Sequence, residues 1–235
     1  MDRRAGGQAK ARRAFLPLPF GRCSWHHVAG RGSTVMPTRN DRSSGMSVVE
    51  ALRVVADLCC GQQIVVTNQG SARIWPKLRR RPLDVHYNPS TMSGAIPLAL
   101  GLALAQRHRE VLAISGDGSL LMSLGSLVTV VGSGATNLTI VLLDNGLYEV
   151  TGGQETPAAR MAIDYAGIAR AAGFPTSLEF RDLSDWRARA ADVLTLPGPR
   201  FIRLVVSAAP AEYLTGSTPP LPEQLAGLKT SLEIA

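Results

Sequence analysis

Leu138-Thr139-Ile140-Val141-Leu142-Leu143-Asp144-Asn145-Gly146 decides the fold class. Six nearly continuous apolar positions break abruptly into Asp-Asn-Gly, which reads as a strand buried on both faces and stopped by turn residues. A strand with one wet face would alternate instead. Upstream, Val111-Leu112-Ala113-Ile114-Ser115 runs in the same way into Gly116-Asp117-Gly118-Ser119, and Ile64-Val65-Val66-Thr67 into Asn68-Gln69-Gly70-Ser71. Helical stretches near Gly94 to Gln106 and near Leu120 to Val131 supply the crossovers that parallel strands require. Beyond them, a helix near Asp164 to Ala172, another near Ser184 to Leu194 capped by Asp182 or Ser184, and a strand from Phe201 to Val206 continue the alternation. The class is α/β, a single doubly wound parallel-sheet domain.

Order is expected to begin at Ser47, because Ser47-Val48-Val49-Glu50 reads as a capping box for a helix running to about Cys60. The cap accounts for Glu50 without a catalytic role. Residues 1–45 differ in kind. Nine Arg and Lys stand there against Asp2 and Asp41, while the remainder carries sixteen charges of each sign, so the net charge of +7 belongs to the leader. Pro17, Pro19 and Pro37 break any helix, and a disordered basic leader is the expectation. Its Arg-rich, acid-poor composition suits a transit peptide, but the prolines spoil the periodicity, and translation from Met36 or Met46 is the plainer reading. The folded domain is placed at 46–207. The segment 208–235, with Pro219, Pro220 and Pro222, is expected to form an extended C-terminal arm.

A neutral domain loses the compositional support for a nucleic-acid partner. No stretch reaches the roughly 18–20 uninterrupted apolar residues of a membrane span, and the protein reads as soluble and cytoplasmic. Three cysteines, two of them adjacent at Cys59 and Cys60, make neither a disulfide framework nor a metal site. His86 and His108 stand alone, and Lys77, Arg79, Arg80 and Arg81 before Pro82 read as a solvated face.

In open parallel sheets, ligands bind beyond the carboxyl ends of the strands. Three strand ends there combine small residues with oxygen-bearing ones: Asn68-Gln69-Gly70-Ser71, Gly116-Asp117-Gly118-Ser119 and Asp144-Asn145-Gly146-Leu147. Each alone is an ordinary turn. Together they place Asp117 and Asn145 one helix and one strand apart, on the same side of the sheet, with amides suited to a phosphate and oxygens suited to Mg²⁺.

Gly116-Asp117-Gly118 followed by Asp144-Asn145 resembles the signature of thiamine-diphosphate enzymes. Leu143-Asp144-Asn145-Gly146 with Thr151-Gly152-Gly153-Gln154 is similar to the sulfopyruvate and phosphonopyruvate decarboxylases. Ser90-Thr91-Met92-Ser93-Gly94-Ala95 and the apolar helix after it fit their cofactor loop. The resemblance covers about Ser47 to Val206 and implies the thiamine-diphosphate-binding fold. It makes Asp117 and Asn145 side-chain ligands of Mg²⁺ and Leu147 a ligand through its carbonyl. Gly116, Gly118 and Ser119 would hold the diphosphate, with Gly70 and Ser71 closing the other side; Met92 would wedge the cofactor into its bent shape and the Ser90 carbonyl would accept from its 4′-amino group. Tyr148 and Gln154 become candidate substrate contacts. Gly94 and Val150 depart from the family pattern, in which a His and a Ser are common at those positions.

The resemblance further implies that the catalytic Glu lies on a pyrimidine-binding domain, for which this chain has no room. A partner subunit of similar size is therefore expected, acting with this chain on a small 2-oxoacid as a carboxy-lyase. Two other readings stay open: a half-subunit of another thiamine enzyme, such as an acetolactate-synthase-like carboligase or an oxidoreductase, and a non-catalytic binding or regulatory subunit.

Overall fold

The computed structural model describes residues 45–88, 91–161 and 163–234. The expected leader lies outside them apart from Gly45. Helix α1 (Val48–Leu58) leads into β1 (Ile64–Asn68), α2 (Gln69–Leu78), β2 (Asp84–Tyr87), α3 (Ala95–Ala105) and β3 (Val111–Gly116). Two short helices, α4 (Asp117–Leu121) and α5 (Ser126–Gly132), precede β4 (Leu138–Asp144). A small hairpin, β5 (Leu147–Tyr148) and β6 (Gln154–Glu155), then interrupts the alternation before α6 (Tyr165–Ala172), β7 (Thr176–Phe180), α7 (Leu183–Val193), β8 (Arg200–Val205) and α8 (Leu221–Ile234).

Six strands form one parallel sheet in the order β2-β1-β3-β4-β8-β7. All seven residues of β4 are buried, as its unbroken apolar run requires. Alternate side chains serve two cores. Leu138, Ile140 and Leu142 join α3, α5 and α6 on one face, whereas Val141 and Leu143 join α1, α2 and α7 on the other. The chain steps outward from β1 to β2, then returns to lay β3 on the opposite side of β1. This reversal opens a crevice at the carboxyl ends of β1 and β3, where doubly wound sheets bind ligands.

Several expectations are corrected. Only half of the capping box forms: Ser47 Oγ accepts from Glu50 N at 3.4 Å, but the Glu50 carboxylate turns to Arg53 and Arg187. The single helix expected near Leu120 to Val131 is two, separated by a turn through Met122 and Gly125. The C-terminal segment is not extended throughout, since α8 covers the sheet edge at β2 and buries Leu228. Its prolines start that helix rather than prevent it.

The basic run is not wholly solvated either. Arg79 Nη1 donates to the Ala56 carbonyl at 2.6 Å, and Arg81 Nη2 bonds the carbonyls of Ala56 and Cys59, the otherwise unsatisfied end of α1. Among the described residues no helix is long and apolar enough to cross a membrane.

Candidate functional site

The crevice at the strand ends is lined by Gly70 and Ser71 from α2, Met92, Gly116, Gly118 and Ser119 from the β3–α4 junction, and Asn145, Leu147 and Tyr148 from beyond β4. Nine of the residues singled out in the sequence thus converge on one cleft. Asp117 lies just beneath it, fully buried. Gln154 does not line it; it is exposed in β6, with its amide folded over Gly152. Ser90 is outside the described residues.

The floor is built by β3 and β4, which pair with Gly116 opposite Leu143. Asp117 and Asn145 therefore emerge from adjacent strands, whose spacing is about 4.8 Å. The Asn145 Oδ1 accepts from Leu147 N at 2.9 Å and its Nδ2 faces Glu149 Oε1 at 3.3 Å. Asp117 Oδ2 accepts from Thr156 Oγ1 at 3.0 Å. A carboxylate, an amide oxygen and a nearby carbonyl form an all-oxygen set that suits a hard cation such as Mg²⁺. No group of three His, Cys, Asp or Glu capable of holding a metal occurs among the described residues. Any cation here would need further oxygens from a ligand or water, as Mg²⁺ commonly takes.

The cleft wall is shaped for close approach to a ligand. A Cβ on Gly118 would meet the Tyr148 ring at 2.6 Å, so only glycine fits beneath that ring. Ser119 Oγ accepts from Asn68 Nδ2 at 3.0 Å and from Ser93 N at 2.8 Å. Both its acceptor positions are taken, which leaves its O–H hydrogen to donate into the cleft. Asn68 Oδ1 is buried without a hydrogen-bond partner, a cost of about 1–3 kcal/mol that a ligand donor would relieve. The Ser71 hydroxyl, by contrast, is committed to Asn68 N and to the Asn68 and Ile114 carbonyls. Its contribution to the cleft is as a wall.

Among the described residues the two non-glycine residues with positive φ are Gln69 (51°) and Ser93 (80°), and both border this cleft. Such strain costs of order 1–3 kcal/mol per residue and clusters at ligand sites. Glu149 also lines it. Burial pushes its carboxyl above the ordinary range, although hydrogen bonds from Ala209 N at 2.7 Å and from Asn145 Nδ2 favour the charged form. Behind the loop that follows β4, Arg203 donates to Asp144 Oδ2 at 2.8 Å, and Asp144 is wholly buried. That ion pair directs Asp144 away from the cleft and leaves Asn145 facing it.

Sequence reasoning missed Asn68, Glu149 and Thr156 as functional candidates. Asn68 carried a signal, an amide at the end of a strand beside Gly70. Its bond to Ser119 spans 51 positions and has no local trace.

Residues 66–204, more than half of the chain, match the family described as thiamine pyrophosphate enzyme, C-terminal TPP binding domain. The chain belongs to this family. A sulfopyruvate decarboxylase subunit beta from Methanothermobacter thermautotrophicus is 40% identical over 151 residues, covering 64% of this chain and 77% of that protein. A phosphonopyruvate decarboxylase from Streptomyces viridochromogenes is 35% identical over 178 residues, covering 74% of this chain and 44% of that enzyme. The chain therefore spans less than half the length of the phosphonopyruvate decarboxylase. The crystal structure of benzoylformate decarboxylase from Polynucleobacter necessarius superposes with a TM-score of 0.62 at 19% identity, over 74% of this chain and 35% of that one, which supports the fold alone.

Proposed function

We propose that this chain is the diphosphate- and Mg²⁺-binding subunit of a two-subunit thiamine-diphosphate-dependent 2-oxoacid decarboxylase of the sulfopyruvate or phosphonopyruvate type. The observation that carries the reading is the emergence of Asp117 and Asn145 from neighbouring strands beneath a glycine-floored cleft. When bound, thiamine diphosphate supplies an electron sink for loss of carbon dioxide from a 2-oxoacid.

In this reading Asp117 and Asn145 give Mg²⁺ one charged and one neutral side-chain oxygen, and Leu147 gives its carbonyl. The Gly116 and Gly118 backbone and the free Ser119 O–H hold the diphosphate, with Gly70 closing the opposite side. Met92 occupies the cleft wall where an apolar wedge would set the cofactor's shape, and the Ser90 carbonyl is assigned to its amino group. Tyr148, whose ring covers Gly118, faces the reacting end; Gln154 would need the β5–β6 hairpin or a partner surface to bring it there.

A partner is favoured by the surface. Helix α3 carries no polar side chain, yet Pro97, Gly101 and Ala105 are exposed, and Met122 and Val128 nearby are 57% and 62% exposed. Apolar surface of this kind on a soluble domain marks a contact. The decisive experiment is to purify the tagged chain from its own host, identify any accompanying subunit by mass spectrometry, and assay carbon dioxide release from sulfopyruvate and phosphonopyruvate. Release by the two-chain complex but not by this chain alone supports the proposal. Full activity of the single chain, or acetolactate formation from pyruvate in place of simple decarboxylation, contradicts it.

A further inference from the structure

Both proposed metal ligands are held by the same short stretch of chain, and in opposite chemical senses. Thr156 is 1% exposed although its neighbours Glu155 and Pro157 lie in solvent. Its N–H donates to the Gly146 carbonyl at 2.8 Å, which fixes it against the loop that carries Asn145. Its hydroxyl donates to Asp117 Oδ2 at 3.0 Å. A carboxylate turns readily about its last bond, so one such donor decides which oxygen is used inside the protein and which way the other faces.

On the neighbouring strand the fixed atom is a donor. Asn145 Nδ2 faces Glu149 Oε1 at 3.3 Å, and that same oxygen accepts from Ala209 N at 2.7 Å, anchoring Glu149 to the segment that follows β8. An acceptor beside the amide nitrogen selects one of the two amide flips and leaves Oδ1 as the atom for a cation. Leu147 N, at 2.9 Å from Oδ1, holds the same flip from the other side.

We infer that Thr156 and Glu149 are positioning residues that preset Asp117 and Asn145 for a divalent cation, so that the turn and hairpin from Leu147 to Thr156 form the outer shell of the metal site. The inference rests on the proposed Mg²⁺ role of those two ligands and goes beyond it by naming what orients them. Outer-shell partners of metal ligands typically contribute 10- to 100-fold to metal affinity.

The test is a calorimetric titration of Mg²⁺ into the intact protein with its accompanying subunit and saturating thiamine diphosphate, comparing wild type with Thr156→Val, Thr156→Ser and Glu149→Met. Thr156→Val keeps the shape and removes the hydroxyl. It should raise the Mg²⁺ dissociation constant about 10- to 100-fold, while Thr156→Ser, which restores the donor, should stay within about threefold of wild type. A folded Thr156→Val protein with wild-type Mg²⁺ affinity overturns the inference. So does a Thr156→Ser protein as weak as Thr156→Val, because the methyl and not the hydroxyl would then matter. Should Thr156→Val fail to fold, Glu149→Met decides: weakened Mg²⁺ binding supports the inference and unchanged binding overturns it. Absence of Mg²⁺ binding in wild type is a separate result, which removes the metal reading and this inference with it.

Discussion

Gly118 is the residue at which sequence, packing and ligand chemistry meet most tightly. A methyl group there would sit 2.6 Å from the Tyr148 ring, inside van der Waals contact, and would push the ring and its hairpin away from the cleft. Gly118→Ala should therefore lower the melting temperature by an amount corresponding to roughly 1–3 kcal/mol. It should also weaken thiamine diphosphate binding at least about tenfold, as a 1.4 kcal/mol loss would. A melting scan and a binding titration on the same preparation check both. The proposed ligands Asp117 and Asn145 were conspicuous in the sequence because a carboxylate and an amide directly after buried strands have few structural uses. Thr156 and Glu149 were not. The proposed role of each rests on one hydrogen bond, to a residue 39 positions away in the first case and at an unremarkable i,i+4 spacing in the second.

Among the elements, the central strands were readable because burial on both faces leaves an unmistakable apolar run, whereas α2 was not expected. The edges were harder. Strands β2 and β7 are short and carry Asp84, His86, Ser177 and Glu179, so their patterns resemble loops. Helix α8 was hidden behind three prolines, and its role is visible only in three dimensions. Gln224 Oε1 accepts from His86 N at 2.7 Å and its Nε2 donates to the His86 carbonyl at 3.0 Å. One side-chain amide thus does for the edge strand what a neighbouring strand would, blunting an edge open to intermolecular pairing. Gln224→Ala should cost about 1–3 kcal/mol of stability and raise aggregation on heating, measurable by denaturant melts and light scattering. Equal stability and unchanged scattering would show that α8 covers the edge without that amide.

For the whole molecule, stability should respond to acid through two buried groups on β2 that act in opposite directions. Burial lowers the His86 pKa to about 4, so the folded state resists a proton that the unfolded chain takes up near 6.5. That contribution is full above pH 6.5 and is lost as pH falls toward 4. Burial raises the Asp84 pKa to about 6, against the hydrogen bond from Trp75 Nε1 and the nearby Arg81 charge. Its contribution is full below about pH 4 and is lost as pH rises through 6. His86→Gln should thus flatten the loss of stability between pH 6.5 and 4, by roughly 2–3 kcal/mol over the interval, whereas Asp84→Asn should steepen it. Urea melts across that range give the slopes, and identical slopes in all three proteins would contradict the assignment.

On the proposed reading, the cleft takes thiamine diphosphate with a divalent cation held by Asp117 and Asn145. Isothermal titration of thiamine diphosphate into the protein, with its accompanying subunit and with Mg²⁺ present or chelated, tests that most directly. Binding should be saturable, should need Mg²⁺, and should be lost in Asp117→Ala and Asn145→Ala proteins that remain folded. Binding of equal strength without Mg²⁺, or undiminished in both variants, would contradict it.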